Sequence, residues 1–474
     1  MRKTGIWGFL LPVILFTAAS IWIMGLPGCS SRREPSLLLI TIDTLRPDHL
    51  STYGYPRATS PRLDTLATGG MVFENVFSTI PETGPSFSSL LTGRWPAELG
   101  LRGNGHPLDS RFPTLATLLA TAGYRTGAFV SGFPLTRRLS GLHRGFDHYD
   151  DEMPDPRGAS PNVQRLAPGT TDAALAWLQE NRQAPFFMWV HYYDPHGDYA
   201  PGAPYDNMFT SDRAGLRLSP ADIPAYQRLD GHLDAAYYID RYDGEIRKVD
   251  DQVTRLLQAV ERAGLTDSTV VVVTSDHGES LTEHGYNFDH GNELYGPSLR
   301  VPLILAGPGI PADGRRLSQV VRLPDLMPTL LELLGQAVPG DVAGVSLSSW
   351  WTDPATAPSG RESLSEARFQ PYRALTPGSD VGPKLSARDD RYTYILRLDG
   401  PRSELYDRLS DPAENINLLA EAHRDPGLAA LAGELAARLR QRLSRAGGGE
   451  PAPSVFTPEI RVRLDHLAAL RAGS

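Results

Sequence analysis

Apolar residues fall into two kinds of run along this chain. Leu37–Ile42, Phe186–Tyr192, Thr269–Thr274 and Val301–Leu305 are short and nearly continuous, as expected of strands buried on both faces. Tyr124–Val130 reads as another strand. Thr114–Ala122, Asp172–Asn181, Tyr237–Ala263 and Leu323–Leu334 instead repeat their apolar residues with helical spacing, and Gly123 and Gly264 stop two of them. Alternation of this kind predicts an α/β fold, a large, mostly parallel sheet sandwiched by helices.

Two stretches break the alternation. Gly197–Asp230 is rich in Pro, Gly and Asp and reads as a long loop near a substrate. Ser348–Pro371 breaks it again. Beyond that lie a candidate antiparallel hairpin, Tyr392–Leu398 with Glu404–Tyr406, and an amphipathic helix, Pro426–Ser444, with Asp425 as its N-cap. The organisation expected is a leader over residues 1–29, a linker over 30–35, a catalytic domain over 36–345 and a C-terminal α+β subdomain over 346–474.

The leader changes the picture of where the chain works. Met1-Arg2-Lys3 is basic, and an uncharged, mostly apolar stretch follows from Gly5 to Gly28, the pattern of a secretory signal. The sole cysteine, Cys29, follows Leu26-Pro27-Gly28, which is similar to a bacterial lipoprotein cleavage box, so Cys29 is the expected lipid attachment point. The alternative is an uncleaved helix, since the stretch approaches the roughly 20 residues needed to span a bilayer. Either way the folded part is expected outside the cytoplasm and anchored to a membrane. One cysteine excludes an internal disulfide and a multi-Cys zinc site. The formal net charge of -9 argues against a nucleic-acid partner but not against an anionic substrate, because a bound metal can dominate the local field.

Candidate chemistry sits at the strand ends, where ligands bind in open α/β sheets. Asp43 follows the first strand, His191 and Asp194 follow the apolar residues Phe186–Val190 with His196 just beyond, and Asp276 and His277 follow the Thr269 strand. His284 and His290 lie just downstream. A lone Asp after a strand is usually a turn former, but three deliveries to one sheet edge point to a divalent metal site. Thr83 offers a hydroxyl at the start of a short helix that begins near Pro85 and ends at Gly93. As a plain structural residue it would cap that helix. As a functional one it would sit beside free backbone N–H groups that attract an oxyanion, and metal contact would make it a nucleophile.

These segments resemble those of the sulfatases, within the alkaline phosphatase superfamily. The likeness rests on Ile-Thr-Ile-Asp43-Thr-Leu-Arg46-Pro-Asp48, Ser86-Phe-Ser-Ser-Leu-Leu-Thr-Gly-Arg94, Val190-His-Tyr-Tyr-Asp-Pro-His196 and Ser275-Asp-His-Gly-Glu279. Leu299-Arg-Val-Pro-Leu-Ile304 and Glu404-Leu-Tyr-Asp407 extend it. Typical members carry a Cys or Ser that is oxidised to formylglycine, followed by Pro and then Arg. Here those positions are Thr83, Pro85 and Phe87. A secondary alcohol cannot become an aldehyde, so the resemblance implies a member with a Thr nucleophile. A second metal-binding Asp of the family is Thr44 here.

The resemblance then implies a metal held by Asp43, Thr83, Asp276 and His277, and a covalent Thr83 intermediate formed from a phosphate mono- or diester. His290 stands where many sulfatases have a substrate-binding Lys. His191 and His290 are candidates for leaving-group chemistry, and His196 and Arg46 for substrate binding. Alternatively His191, His196, His290 and Asp194 would hold a second metal, and Arg46 would pair with a carboxylate. Glu279 and His284 are expected to orient His277 or Asp276, and Arg300 to be structural. Mixed oxygen and nitrogen ligands favour Mn²⁺ or Zn²⁺, with Ca²⁺ or Mg²⁺ as alternatives. The substrate is expected to be a small-molecule, glycan or lipid-headgroup ester. Two other readings stand beside this one: a sulfate-ester hydrolase working without formylglycine, and an inactive fold that binds a glycan or lipid.

Overall fold

Strands that are apolar on both faces must lie in the middle of a sheet covered on both sides, and the computed structural model of the chain places them there. It describes Met1 and residues 34–153, 164–211, 215–358, 360–368, 382–400, 402–444 and 454–472. Eight strands form one sheet: β1 (Ser36–Ile42), β2 (Met71–Phe77), β3 (Arg125–Val130), β4 (His148–Asp150), β5 (Phe186–Tyr192), β6 (Thr269–Thr274), β7 (Arg300–Ala306) and β8 (Arg315–Arg322). Their order is β4-β3-β5-β1-β6-β7-β2-β8. All neighbours are parallel except at β7, which runs antiparallel to β6 and to β2.

The register fixes the site. Thr41 of β1 pairs with His191 of β5 on one side and Thr274 of β6 on the other, so the three carboxyl ends finish level. Side chains alternate between two cores. Leu37, Leu39 and Trp189 pack with Phe87 of the Thr83–Thr92 helix, while Leu38, Ile40 and Val190 pack under the long helix Ala235–Arg262.

A second, antiparallel sheet contains β9 (Ser363–Ala367), β10 (Lys384–Arg388), β11 (Tyr392–Arg397) and β12 (Ser403–Asp407). The helices Pro426–Ser444 and Pro458–Ala472 share its core. Asp425 Oδ1 accepts from the backbone N–H groups of Gly427 and Leu428, the expected cap. This sheet touches the site's approach. Ser365 Oγ donates to Ser78 O at 2.7 Å, and the Glu366 N–H donates to Thr79 O at 2.9 Å.

Several elements differ from the sequence expectation. The helix read as Asp172–Asn181 starts at Ala167, because Asp194 Oδ2 accepts from the Ala167 N–H at 3.0 Å and satisfies its first turn. Leu323–Leu334 is a 3₁₀ turn, Leu323–Asp325, leading into an α-helix over Leu326–Leu333. The strand β9 lies inside the Ser348–Pro371 stretch that reads as irregular. Among the described residues no helix is long and apolar enough to cross a membrane. The expected leader and Cys29 lie outside the described residues.

A buried charge cluster holds the start of the Leu326–Leu333 helix. Asp325 is fully buried and accepts from the Arg322 and Val345 N–H groups and from the Arg322 and Arg361 guanidiniums. Burial alone would raise its pKa, but the two guanidiniums outweigh that and hold it at about 2. Replacing Asp325 with Ala leaves two partly desolvated cations unpaired, so denaturant unfolding should show a loss of about 3–5 kcal/mol. A loss below about 1 kcal/mol would mean that the cluster does not hold the helix.

Candidate active site

The turn after β1 is stitched to its neighbours before any chemistry is considered. Thr44 has φ of 53°, a left-handed conformation that a β-branched residue adopts only under constraint. The constraint is visible. The Tyr242 hydroxyl accepts from the Arg46 N–H at 3.0 Å and donates to Thr44 O at 2.8 Å. The Leu45 N–H donates to Ser275 Oγ at 3.1 Å, and the Thr44 N–H to Asp276 Oδ1 at 3.4 Å. The end of β1 is thereby tied to the end of β6, and Asp43 is delivered beside Asp276 and His277.

One ligand atom from each of Asp43, Asp276 and His277 lies within 4.8 Å of the other two. Both oxygens of Asp43, Oδ2 of Asp276 and Nε2 of His277 are buried without a hydrogen-bond partner among the described residues. His277 Nδ1 lies 2.9 Å from Gly278 O. A carbonyl only accepts, so Nδ1 carries the proton and Nε2 keeps its lone pair for a ligand. Burial raises the pKa of Asp43 well above the carboxylate range, Asp276 and Glu279 raise it further, and the Thr83 hydroxyl beside it works the other way. Burial also raises that of Asp276, against the pull of His277. Two like charges and an imidazole lone pair that face one another out of water fit a divalent cation.

Thr83 is the first residue of its helix rather than its cap. Glu82 holds the extended N-cap position, and no side-chain cap is made there. Less of this helix end is available to an oxyanion than the sequence suggests. The Gly84 N–H donates to Asn104 Oδ1 at 2.7 Å, and Pro85 has no N–H. Ser86 Oγ donates to Asp276 O at 2.7 Å, which fixes the Thr83 helix against β6. Neither Ser86 nor Asn104 is singled out by the sequence. Ser86 lies within a quoted motif as a hydroxyl on a helix buried along its whole length, whereas Asn104 sits in a loop that carries no signal.

His196, His277 and His290 come together, with ring centroids 4.4 Å apart for His277–His290 and 5.1 Å for His196–His290. His290 Nδ1 donates to Glu279 Oε1 at 3.0 Å, and the Tyr199 hydroxyl donates to Glu279 Oε2 at 3.2 Å. His196 stacks on Tyr193 at 4.2 Å.

Other candidates take different places. His191, the candidate for leaving-group chemistry, has closed surroundings. Its ring is fully buried against Phe87 and Trp189, and Nε2 lies 3.5 Å from Asp43 Oδ2. Burial holds its pKa down, at about 3, with His196 and His277 adding to the effect, so the ring is neutral. Arg46 shows the pairing given as the alternative for it, every guanidinium nitrogen being engaged by Asp48, Glu283 or Glu279 O. Asp194 is bound by Lys248 Nζ at 2.7 Å and by the Ala167 N–H, which removes it from a second metal site. Glu279 orients His290 rather than His277 or Asp276, and His284 stacks on Tyr295 at 3.6 Å instead of reaching either. Arg300 donates to Glu74 O, the structural role expected.

Comparison with known proteins shows the family. The sulfatase family pattern matches residues 35–336, and that of the N-sulphoglucosamine sulphohydrolase C-terminal region matches 282–444. The chain belongs to the sulfatase family. It is 28% identical to a Δ4,5-hexuronate-2-O-sulfatase of Bacteroides thetaiotaomicron, over 89% of this chain and 92% of that one. It is 27% identical to a multifunctional alkaline phosphatase superfamily protein of Trinickia caryophylli, over 87% and 96%. The fold matches the phosphonate monoester hydrolase of Agrobacterium radiobacter with a TM-score of 0.71 at 24% identity, over 87% of this chain and 96% of that one. The chain is thus an ester hydrolase of the sulfatase and alkaline phosphatase superfamily, which sets aside the binding-only reading.

If the two buried carboxylates await a cation, each is a burden in the metal-free protein. Their folded pKa values lie above the unfolded ones, so the stability they permit is present below about pH 4 and is lost as pH rises toward the folded values. Asp276→Asn should therefore raise the neutral-pH melting temperature of the metal-free protein while abolishing its stabilisation by added divalent ion. A variant that melts lower and still responds to metal would contradict this.

Proposed function

We propose that the chain cleaves a phosphate mono- or diester through a covalent intermediate on Thr83, ending in hydrolysis or in transfer to an acceptor alcohol. The observation that carries this reading is the buried Thr83 hydroxyl beside Asp43; the resemblance sets that residue where sulfatases carry the one converted to an aldehyde. Phe87, in place of the usual Arg, packs on Trp189 and His191 rather than offering a charge. A divalent ion, Mn²⁺ or Zn²⁺ in preference to Ca²⁺ or Mg²⁺, held by Asp43, Asp276 and His277 with Thr83, would supply a Lewis acid that lowers the pKa of a hydroxyl touching it.

The chain's own groups do the rest. Thr83 loses its proton to solvent, its Oγ bonds to phosphorus, and the bond to the leaving alcohol breaks. His290, oriented by Glu279, protonates the departing alkoxide and then takes a proton from the water that cleaves the Oγ–P bond. His196 packs beside His290 and would bind an ester oxygen once its Nε2 leaves the Tyr193 hydroxyl. The N-terminal leader and Cys29 support an extracytoplasmic, membrane-anchored location, with a small-molecule, glycan or lipid-headgroup ester as substrate.

A second reading is favoured by the names of the relatives. The Bacteroides thetaiotaomicron protein and an ulvan-active protein of Formosa agariphila, 27% identical over 87% of this chain, are both sulfatases. The discriminating assay offers aryl phosphomonoester, phosphodiester and sulfate side by side with Mn²⁺, Zn²⁺, Mg²⁺ or Ca²⁺. The expected result is phosphoester turnover that falls at least about 10³-fold in Thr83→Ala while the variant still binds metal. Sulfate turnover with little phosphoester activity would replace the leading reading with the second.

A further inference from the structure

A short file of hydrogen bonds runs beneath Asp43 and has a direction. Trp189 Nε1 lies 2.9 Å from Thr41 Oγ1, and Thr41 Oγ1 lies 3.1 Å from His191 Nδ1. The three side chains are brought together by the β1–β5 pairing, in which Thr41 sits opposite His191, with Trp189 two residues earlier on the same face. An indole N–H can only donate, so the Thr41 oxygen accepts from Trp189. The hydroxyl has one proton of its own to place, and the acceptor within reach is His191 Nδ1. A neutral imidazole that accepts at Nδ1 carries its proton on Nε2. That nitrogen is fully buried, has no other partner among the described residues, and lies 3.5 Å from Asp43 Oδ2.

We propose that His191 is a positioning residue for Asp43: its Nε2–H is directed at Asp43 Oδ2, and it neither ligates the ion nor touches the ester. The inference rests on the metal reading of the Asp43, Asp276 and His277 site. A proton on Nε2 leaves no lone pair there for a metal. Consistently, His191 is not in the set whose ligand atoms gather within 4.8 Å. Phe87 packs against the fully buried ring in an edge arrangement, with centroids 5.1 Å apart. At 3.5 Å the contact is long for a hydrogen bond. A cation held through the other Asp43 oxygen would leave Oδ2 to His191. Loss of such an outer partner typically costs about 10–100-fold in metal affinity.

The test uses the full-length chain with ¹⁵N-labelled histidine, and His191→Gln to assign the resonance. His191 should show a protonated Nε2 and an unprotonated Nδ1, both before and after Zn²⁺ is added. Zinc affinity, measured by competition with a chromophoric chelator, should weaken about 10–100-fold in His191→Leu. It should return to within about threefold of wild type in His191→Gln, whose amide still offers an N–H. The metal-free melting temperature of each variant separates this from misfolding. An unprotonated Nε2 that shifts on zinc addition would make His191 a ligand and overturn the proposal. So would a folded His191→Leu that binds zinc like wild type. A wild-type chain that binds no divalent ion would remove the metal reading, and this proposal with it. Failure of the phosphoester reading shows in turnover, which none of these readouts uses.

Discussion

Two carboxylates buried at the ends of adjacent parallel strands, neither paired with an Arg or Lys among the described residues, set the terms for the rest of this molecule. Asp43 and Asp276 stand together because β1 and β6 are in register to their last residues. Burying like charges is costly unless a cation joins them. The fold accepts that cost and spends many contacts holding the arrangement. Tyr242 clamps the strained Thr44 turn, Ser275 bridges β6 to Leu45, and Ser86 ties the Thr83 helix to the Asp276 carbonyl. The C-terminal sheet adds to this by bonding to Ser78 and Thr79, just ahead of Thr83.

The contrast with neighbouring carboxylates sharpens the point. Asp194 also follows a buried strand, yet it meets Lys248, which bonds Glu245 as well. Asp243 is fully buried on the long helix and is satisfied by His49, Tyr55 and Arg57, which fixes the loop after β1. These acids are closed structural groups. Asp43 and Asp276 differ in what their surroundings leave open, since oxygens of both are buried without a hydrogen-bond partner among the described residues.

Much of this was legible from residue order. Continuous apolar runs marked β1, β5, β6 and β7, and the polar residue directly after β1 and the pair closing the β6 segment proved to be the convergent set. What the order could not carry is which partner a charge finds at long range. Asp194 and Lys248 are 54 residues apart in sequence, and Arg46 meets Glu283 across 237, so their pairing is a property of the folded chain alone. The strands β9 and β10 escaped notice because Ser-Leu-Ser-Glu-Ala and Lys-Leu-Ser-Ala-Arg look like surface sequence. They are buried because their charges are met. Lys384 reaches Asn292 O, and Arg388 reaches Leu294 O and Glu414. Thr83 was placed at the correct helix end but one position early, since capping depends on the backbone angles of Glu82 rather than on residue type.

The central claim is that Thr83 forms a bond to the substrate, and mass spectrometry of a reaction quenched in acid during steady turnover of an aryl phosphodiester addresses it directly. Peptide mapping should find the substrate's phosphoryl group on Thr83 in the wild-type chain and on no residue of Thr83→Ala. Multiple turnovers with no labelled Thr83 peptide, and inversion of configuration at a chiral phosphorus, would show that water attacks directly and would contradict the account.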